Sequence, residues 1–138
     1  MLVDDFKKLR VYRAAFDVAM DLYARSKAWP SEERYALTDQ VRRSSRSVCA
    51  NIAEAWHKRS YPKHFAAKLR DASSEAAETL VWIDFAEACE LLDTDEADIL
   101  TERVRSVLGG LTKMVAQADR WCGPSTLREP EKAYDLEA

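Results

Sequence analysis

Apolar residues recur every three or four positions along most of the chain, which is the spacing of one face of an α-helix. Four such stretches follow one another, at about Asp5–Lys27, Tyr35–Lys58, Ser60–Leu92 and Asp93–Cys122. The sequence has no long run of alternating apolar and polar residues, the pattern typical of half-buried strands. The pattern therefore predicts an all-α protein with four long helices, here called helix one to helix four.

Each helix has one stripe of residues that is predicted to be buried. The stripe of helix one contains Leu9, Tyr12, Phe16, Ala19, Met20 and Tyr23, and that of helix two contains Val41, Ser45, Val48, Ile52 and Ala55. The stripe of helix three contains Phe65, Leu69, Ala72, Ala76, Leu80 and Ile83. The stripe of helix four contains Leu100, Val104, Val107, Leu108, Leu111, Met114, Val115 and Ala118. Because the connections are short, neighbouring helices are expected to be antiparallel, giving an up-down four-helix bundle over residues 1–122.

Capping residues and glycines mark several points along these helices. Ser60 is predicted to cap helix three, with Pro62 in its first turn, where a missing N–H breaks no helical hydrogen bond. Asp93 or Thr94 is predicted to cap helix four. The pair Gly109–Gly110 interrupts helix four and indicates either a kink or a close approach of another backbone, and close approach is favoured.

Two helices carry more apolar surface than one core stripe requires. At 100° per residue, helix three places a second group opposite Leu80 and Ile83, consisting of Trp82, Phe85, Cys89 and Leu92. Helix one has a similar surplus in Val11, Ala15, Val18 and Leu22. Tilted helices could cover such surface within one molecule. Aromatic anchors flanked by small residues favour a self-association interface instead, at Trp82, Phe85, Cys89 and Leu92.

The composition fits a single domain of 138 residues, with 33% charged residues, three glycines and four prolines. Three widely spaced cysteines indicate neither a disulfide framework nor a zinc site, so a reducing cytoplasm is expected. The charged N-terminus does not resemble a signal peptide, and no apolar run has the length of a membrane span. Residues 123–138 lack a helical period and are predicted to be a flexible polar tail.

Charge is segregated along the chain although the formal net charge is only −3. The segment Arg42–Arg70 holds eight Lys or Arg and one acid, whereas Asp71–Glu102 holds eleven acids and no base. The basic residues predicted to bind RNA or a partner are Arg42, Arg43, Arg46, Lys58 and Arg59. Such a row can neutralise phosphates, or it can pair with the acids of helix three or of another subunit. Taken alone, a surface charge run more often reflects pairing or solvation.

Two short patterns resemble catalytic or metal motifs. Glu54 and His57 have the Glu-x-x-His spacing of di-iron bundles, but the sequence lacks the second copy that such sites need. Arg59 and His64 have the Arg-x4-His spacing of a family of helical ribonucleases, at a helix start where exposed Arg and His are common. Simple capping and solubility explain the second pattern better, and both residues of the first point away from the apolar stripe of helix two. The sequence therefore predicts a protein that is not an enzyme and holds no metal or cofactor.

The stretch from Phe6 to Ser60 resembles the four-helix-bundle proteins of the 23S ribosomal RNA intervening-sequence family. The matching motifs are Pro30 and Glu33, then Gln40, Arg42, Arg43, Ser44 and Ser47, then Asn51–Glu54, and Ala72, Ser74 and Glu75 in helix three. The likeness extends over about Phe6–Ala118, and it departs at Ala55, where the family usually has Gly. The segment VRSVLGGLTKMV of helix four also resembles accessory proteins of diversity-generating retroelements, although those are strongly basic.

The family resemblance implies a small cytoplasmic bundle that assembles into a ring-like homo-oligomer, with pentamers among its members. It implies no established catalysis, and an RNA-linked or ribosome-linked role. The leading hypothesis is therefore a homo-oligomer whose helix-two basic face meets RNA or an RNA-bound protein. The competing hypothesis is a protein-only adaptor or scaffold, including the reverse-transcriptase accessory type, in which that face meets the acids of helix three in the next subunit.

Overall fold

The computed structural model describes residues 3–123 and contains four long α-helices. They are α1 (Arg10–Ser26), α2 (Asp39–Trp56), α3 (Pro62–Ala88) and α4 (Thr94–Ala116), followed by the short α5 (Ala118–Cys122). Short 3-10 turns lie at Phe6–Lys8 and Ser31–Glu33, and a π-helical segment, Arg34–Thr38, leads into α2. The described residues contain no strand, so the all-α prediction is confirmed. Residues 124–138, which form all but the first residue of the predicted tail, lie outside the described residues.

The four long helices surround one core, and each packs against two others in the order α1, α2, α3, α4 and back to α1. Ion pairs show the relative direction of α2 and α3. Arg43 near the start of α2 contacts Glu78 near the end of α3. Glu54 near the end of α2 contacts Lys68 near the start of α3, at 3.0 Å. These two helices are therefore antiparallel, as the short connection between them predicts.

Helix α1 buries only part of the stripe that its sequence predicted, since Leu9 and Ala19 are buried as expected but two larger side chains are not. Its buried residues are Ala15, Val18, Ala19, Leu22 and Ser26. Phe16 and Met20, which were predicted to be in the core, are each 47% exposed. The prediction for Phe16 and Met20 was wrong because α1 has two apolar stripes of similar period, and the stripe of smaller side chains lets the neighbouring helices approach more closely. The larger residues therefore lie on the outside.

Helix α4 packs tightly against α1 at Gly110. A Cβ atom at this position would lie 3.2 Å from Cγ2 of Val11 in α1, which is tighter than ordinary van der Waals contact. A Cβ atom at Gly109 would meet no other atom within 4 Å. Gly110 therefore packs closely against a neighbouring helix, although its contact is the Val11 side chain and not the backbone that was predicted, while Gly109 has no comparable constraint.

The end of α3 turns the chain back into the core and removes Leu92 from the predicted interface. Glu90 has a φ of 62°, in the left-handed region. The N–H of Leu91 donates to the carbonyl of Ala86 at 2.8 Å, and the N–H of Glu90 donates to that of Glu87 at 2.9 Å. This is the Schellman ending of a helix, usually formed around Gly. Leu92 is only 3% exposed as a result, so its assignment to an exposed interface was wrong.

The observed N-caps of α3 and α4 agree only partly with those predicted from the sequence. Asp93 accepts a hydrogen bond from the N–H of Glu96 at 2.7 Å, and the Glu96 carboxylate accepts one from the N–H of Asp93 at 3.0 Å. This capping box confirms the predicted start of α4. Pro62 occupies the first turn of α3, also as predicted, but Tyr61 and not Ser60 is the N-cap residue.

Candidate functional site

Three cations from two helices surround a single aromatic ring at the α1/α2 surface. The Nζ of Lys27 lies 4.8 Å from the centre of the Tyr23 ring, and the guanidinium carbons of Arg42 and Arg46 lie 4.8 and 5.6 Å from it. Each distance is within the range of a cation–π contact. We call this group of four residues the Tyr23 cluster. It concentrates three positive charges at one point of the surface.

Local hydrogen bonds fix the geometry of the cluster. The hydroxyl of Ser26, a buried side chain at the end of α1, donates to the carbonyl of Tyr23 at 3.0 Å. The same hydroxyl oxygen accepts a hydrogen bond from Nε of Arg42 at 2.9 Å. Arg42 is therefore held at both its guanidinium and its partly buried stem, while Arg46, one turn later on α2, remains exposed.

The charges of the Tyr23 cluster are not balanced by nearby acids. Within residues 3–123, no carboxylate lies within 4.0 Å of the charged nitrogens of Lys27, Arg42 or Arg46. Asp39 is the one acid in the open groove that Arg42, Arg46 and Ser47 help to line. An uncompensated group of this kind produces a local positive potential in spite of the negative net charge of the chain.

Arg43 has a different environment from its neighbours on α2. Its guanidinium forms ion pairs with Glu75, at 3.0 Å, and with Glu78, both on α3. The indole N–H of Trp82 donates to Glu78 at 3.1 Å and, together with Arg43, holds the pKa of Glu78 below its usual value. These carboxylates correspondingly raise the pKa of Arg43. Arg43 therefore links α2 to α3, and its charge is largely neutralised within the protomer.

Lys58 and Arg59 lie beyond the far end of α2, separated from the Tyr23 cluster. Trp56, the last residue of α2, is roughly 15 Å from Arg46 at 1.5 Å per residue. The Arg59 guanidinium lies over the Trp56 ring, 3.6 Å from its centre, and its Nε donates to the Trp56 carbonyl at 3.0 Å. Of the five basic residues selected from the sequence, the structure therefore places only Arg42 and Arg46 at the Tyr23 ring, while Arg43 lines the same open groove beside them.

Sequence reasoning missed the contribution of α1 to this surface. Tyr12, Phe16 and Met20, here called the α1 strip, line a groove of about 260 Å³ together with Arg46 and Cys49. The sequence pattern assigned Tyr12 and Phe16 to the core, so these aromatic neighbours of the basic face of α2 were not identified. The presence of two competing apolar stripes on helix one was the signal that could have identified them.

Cys49, which lines the same groove, is a buried thiol. Burial raises the pKa of the Cys49 thiol to about 11.

A second apolar surface lies on α3. Val81 and Phe85 are 46% and 53% exposed, and Cys89, at the end of the helix, is exposed as well. Trp82 packs partly against the core, with its ring centre 6.0 Å from that of Phe85. We call these four residues the α3 patch. The α3 patch includes three of the four residues predicted for a self-association interface, namely Trp82, Phe85 and Cys89. It lies on the helix that is rich in acidic residues.

The residues of the two motif-like patterns form other contacts. Glu54 pairs with Lys68, and the His57 ring lies against Phe6 with a centre-to-centre distance of 6.1 Å. The His64 ring lies 5.8 Å from that of Tyr61, while Arg59 is stacked on Trp56. Across residues 3–123, no three His, Cys, Asp or Glu side chains are grouped so that they could hold a metal ion. None of the helices in the same range has the length and apolar character needed to cross a membrane.

Comparisons with known proteins give two results. The family model for the 23S rRNA-intervening sequence protein matches residues 7–113. A crystal structure of a protein of unknown function from the S23 ribosomal protein family of Bacteroides thetaiotaomicron is similar in fold, with a TM-score of 0.67. The identity is 22%, over 76% of this chain and 97% of that one. A search of curated proteins finds no significant match.

Proposed function

Since the chain belongs to the 23S rRNA-intervening sequence protein family, we propose that it is an RNA-associated binding protein that contacts RNA through the Tyr23 cluster and acts without catalysis. The observation that carries this proposal is the group of three cations, Lys27, Arg42 and Arg46, without a balancing acid. Most of the affinity of a protein for RNA comes from such contacts with phosphates, because each contact releases condensed counterions. The open groove next to Arg42 and Arg46 gives a phosphate backbone access to both guanidinium groups.

The arrangement also suits RNA in its single-stranded form. Unstacked bases bind to proteins by stacking on aromatic rings or on guanidinium planes, and both are present in the Tyr23 cluster. The Arg42 guanidinium is fixed by Ser26, so little side-chain entropy is lost when it contacts a phosphate. Arg46 is exposed and free to adjust. We therefore expect loops or single strands to bind better than regular duplexes.

The proposal is tested by replacing Arg46 with Ala and titrating the protein with a fluorescein-labelled single-stranded RNA of about 15 nucleotides at several salt concentrations. Loss of one phosphate contact should weaken binding and reduce the slope of log affinity against log salt by about 0.7. The matched control is Arg105→Ala, which removes an exposed arginine from α4, a helix that packs against α1 and α3. Equal affinities and slopes for the two variants would reject the Tyr23 cluster as the RNA site.

Arg43 provides a second control on the same helix. Because Glu75 and Glu78 already neutralise it, Arg43→Gln should change RNA affinity much less than Arg46→Gln. It should instead weaken the contact between α2 and α3 by a few tenths of a kcal/mol, as expected of a largely exposed ion pair. An RNA-binding loss for Arg43→Gln as large as that for Arg46→Gln would show that total charge, and not the cluster, governs binding.

We further infer that the protein self-associates by placing the α1 strip of one copy against the α3 patch of the next. A ring needs two different surfaces on each copy, since a head-to-tail contact must be made twice by every subunit. Phe16 and Phe85 are the exposed aromatic anchors of these two surfaces. A pentamer is the assembly that we expect.

A mixing experiment distinguishes this head-to-tail contact from a symmetric one. Phe16→Asp and Phe85→Asp should each give monomers of 15.7 kDa in light scattering, because each variant lacks one of the two surfaces. Each retains the other surface, so an equimolar mixture should form a dimer of twice that mass. A mixture that remains monomeric would reject head-to-tail pairing. A wild-type protein that is monomeric at micromolar concentration would reject self-association altogether.

The internal pairing of Arg43 with α3 favours one alternative, a protein-only adaptor. It demonstrates that the basic face of α2 and the acids of α3 are complementary within one protomer, and the same complementarity could operate between copies or with a partner protein. In that case Arg46→Ala would reduce the mass of the assembly, and there would be no RNA affinity to lose. The RNA titration and the light-scattering measurement together separate the two functions.

A further inference from the structure

A groove between the start of α1 and the end of α4 combines an apolar floor with a positively charged rim. It has a volume of about 360 Å³. Leu9, Met114 and Trp121 contribute to the floor, and Arg10 and Lys113 lie on the rim. Leu9 and Met114 belong to the hydrophobic core and are nearly buried, so the floor is rigid. The groove lies on the α1/α4 side and shares no residue with the Tyr23 cluster.

Polar groups in this groove lack partners in the part of the chain that the structure describes. The indole N–H of Trp121 is shielded from solvent and has no hydrogen-bond partner. Neither Arg10 nor Lys113 forms an ion pair within residues 3–123. A buried donor without an acceptor costs about 1–3 kcal/mol. An occupant with apolar side chains and carboxylates would cover the floor and pair with Arg10 and Lys113.

The chain itself carries a segment with this chemistry next to the groove. Residues 124–138 follow Gly123, which is only two positions after Trp121. The segment contains four acids, Glu129, Glu131, Asp135 and Glu137, against two bases, Arg128 and Lys132. Its larger apolar residues are Leu127, Tyr134 and Leu136. Fifteen residues can extend about 50 Å, so the whole groove is within reach.

We propose that residues 124–138 dock in the groove between α1 and α4 of their own protomer. Leu127 is the first large apolar residue after Gly123 and packs against the floor at Met114 and Trp121. The carboxylates of Glu129 and Glu131 pair with the rim cations Arg10 and Lys113. Because the segment is covalently tethered, its effective concentration at the groove is in the millimolar range, so a weak intrinsic contact is sufficient. Docking also neutralises positive charge at this end of the molecule.

The test uses the full chain and chymotrypsin, which cuts after Tyr134 when the segment is undocked. The double variant Arg10→Glu/Lys113→Glu should increase the rate of this cut about tenfold at low salt, since cleavage follows the population of the open form. The control variant Arg70→Glu/Arg105→Glu makes the same change in net charge at exposed positions of α3 and α4. Circular dichroism verifies that both variants keep their helices. Equal cleavage rates in the wild type and the Arg10→Glu/Lys113→Glu variant would overturn the proposal.

A charge swap tests whether the proposed pairs are the correct ones. Adding Glu129→Arg/Glu131→Arg to the Arg10→Glu/Lys113→Glu variant should restore slow cleavage, whereas adding it to the wild type should accelerate cleavage. If the charge swap does not restore slow cleavage, the pairing of Glu129 and Glu131 with Arg10 and Lys113 is wrong.

A second test follows the Trp121 ring. The indole N–H signal of Trp121 in a ¹⁵N spectrum should shift in the Leu127→Asp variant if Leu127 packs against that ring, and an unchanged signal would contradict the contact. If the protection of Tyr134 from chymotrypsin disappears when the protein is diluted, the segment docks on another copy, and docking within one protomer is rejected.

Discussion

Glu90 occupies a backbone conformation that disfavours every residue except Gly, and replacing it with Gly should stabilise the protein. Its φ of 62° costs a residue with a side chain roughly 1–2 kcal/mol. Gly avoids this cost but gives the unfolded chain more freedom, which offsets about 0.5–1 kcal/mol. The expected net gain for Glu90→Gly is therefore about 0.5–1 kcal/mol. The two hydrogen bonds of the Schellman ending use only backbone atoms, so the substitution leaves them intact.

Urea unfolding followed by circular dichroism measures this gain. With a slope of about 2 kcal/mol per molar urea, the midpoint should rise by about 0.3–0.5 M. Glu90 lies close to Glu87 and Asp93, so the loss of one negative charge could by itself stabilise the turn. Glu90→Ala is the control, because it removes the charge but keeps a side chain at a positive φ. If Glu90→Gly is no more stable than Glu90→Ala at equal protein concentration, the explanation from backbone strain is wrong.

Three further predictions concern the capping box, a buried hydroxyl pair and the cysteines. Asp93→Ala should lower the free energy of unfolding by about 1 kcal/mol in the same urea assay, because the N–H of Glu96 loses its acceptor. Ser44→Ala should cost a similar amount, about 1 kcal/mol, and no more, because the Thr79 hydroxyl, 2.8 Å from that of Ser44, keeps its bond to the Glu75 carbonyl; a loss above about 3 kcal/mol would contradict this. In dilute protein at pH 8, iodoacetamide should modify exposed Cys89 and spare Cys49, because a pKa of about 11 leaves on the order of 10⁻³ of the Cys49 thiol ionised; peptide mapping by mass spectrometry verifies this, and rapid labelling of Cys49 in the folded protein would refute it.

The two stripes of α1 illustrate how far periodicity alone can predict a core. Both the stripe containing Phe16 and the stripe containing Val18 repeat at helical spacing, so the pattern cannot decide which one faces inward. The choice depends on the neighbouring helices. Close approach at Gly110 leaves room for Val11 but not for large aromatic side chains. The sequence contains both halves of this contact, but only the folded structure brings them together.

The basic face of α2 has a similar limitation. Its solvent-facing position could be predicted, since Arg43 and Arg46 lie opposite the buried Val41 and Val48 stripe. Which arginine keeps its charge available could not be predicted, because it depends on side chains that are distant along the chain. Glu75 and Glu78 reach Arg43 across the α2/α3 contact, whereas Arg46 lies over the Tyr23 ring across the α1/α2 contact. Long-range electrostatic partners follow from helix register, which local patterns do not specify.

The sequence alone determined the helical class, the approximate limits of the four long helices and the capping box at Asp93. Each of these follows from local hydrogen bonding or from hydrophobic periodicity within one segment. Tertiary structure alone decided that the α1 strip faces outward, that Leu92 turns inward after Glu90, and that three cations gather around Tyr23. The physical reason is that these features depend on the relative rotation and register of separate helices, which are set by packing the whole core at once.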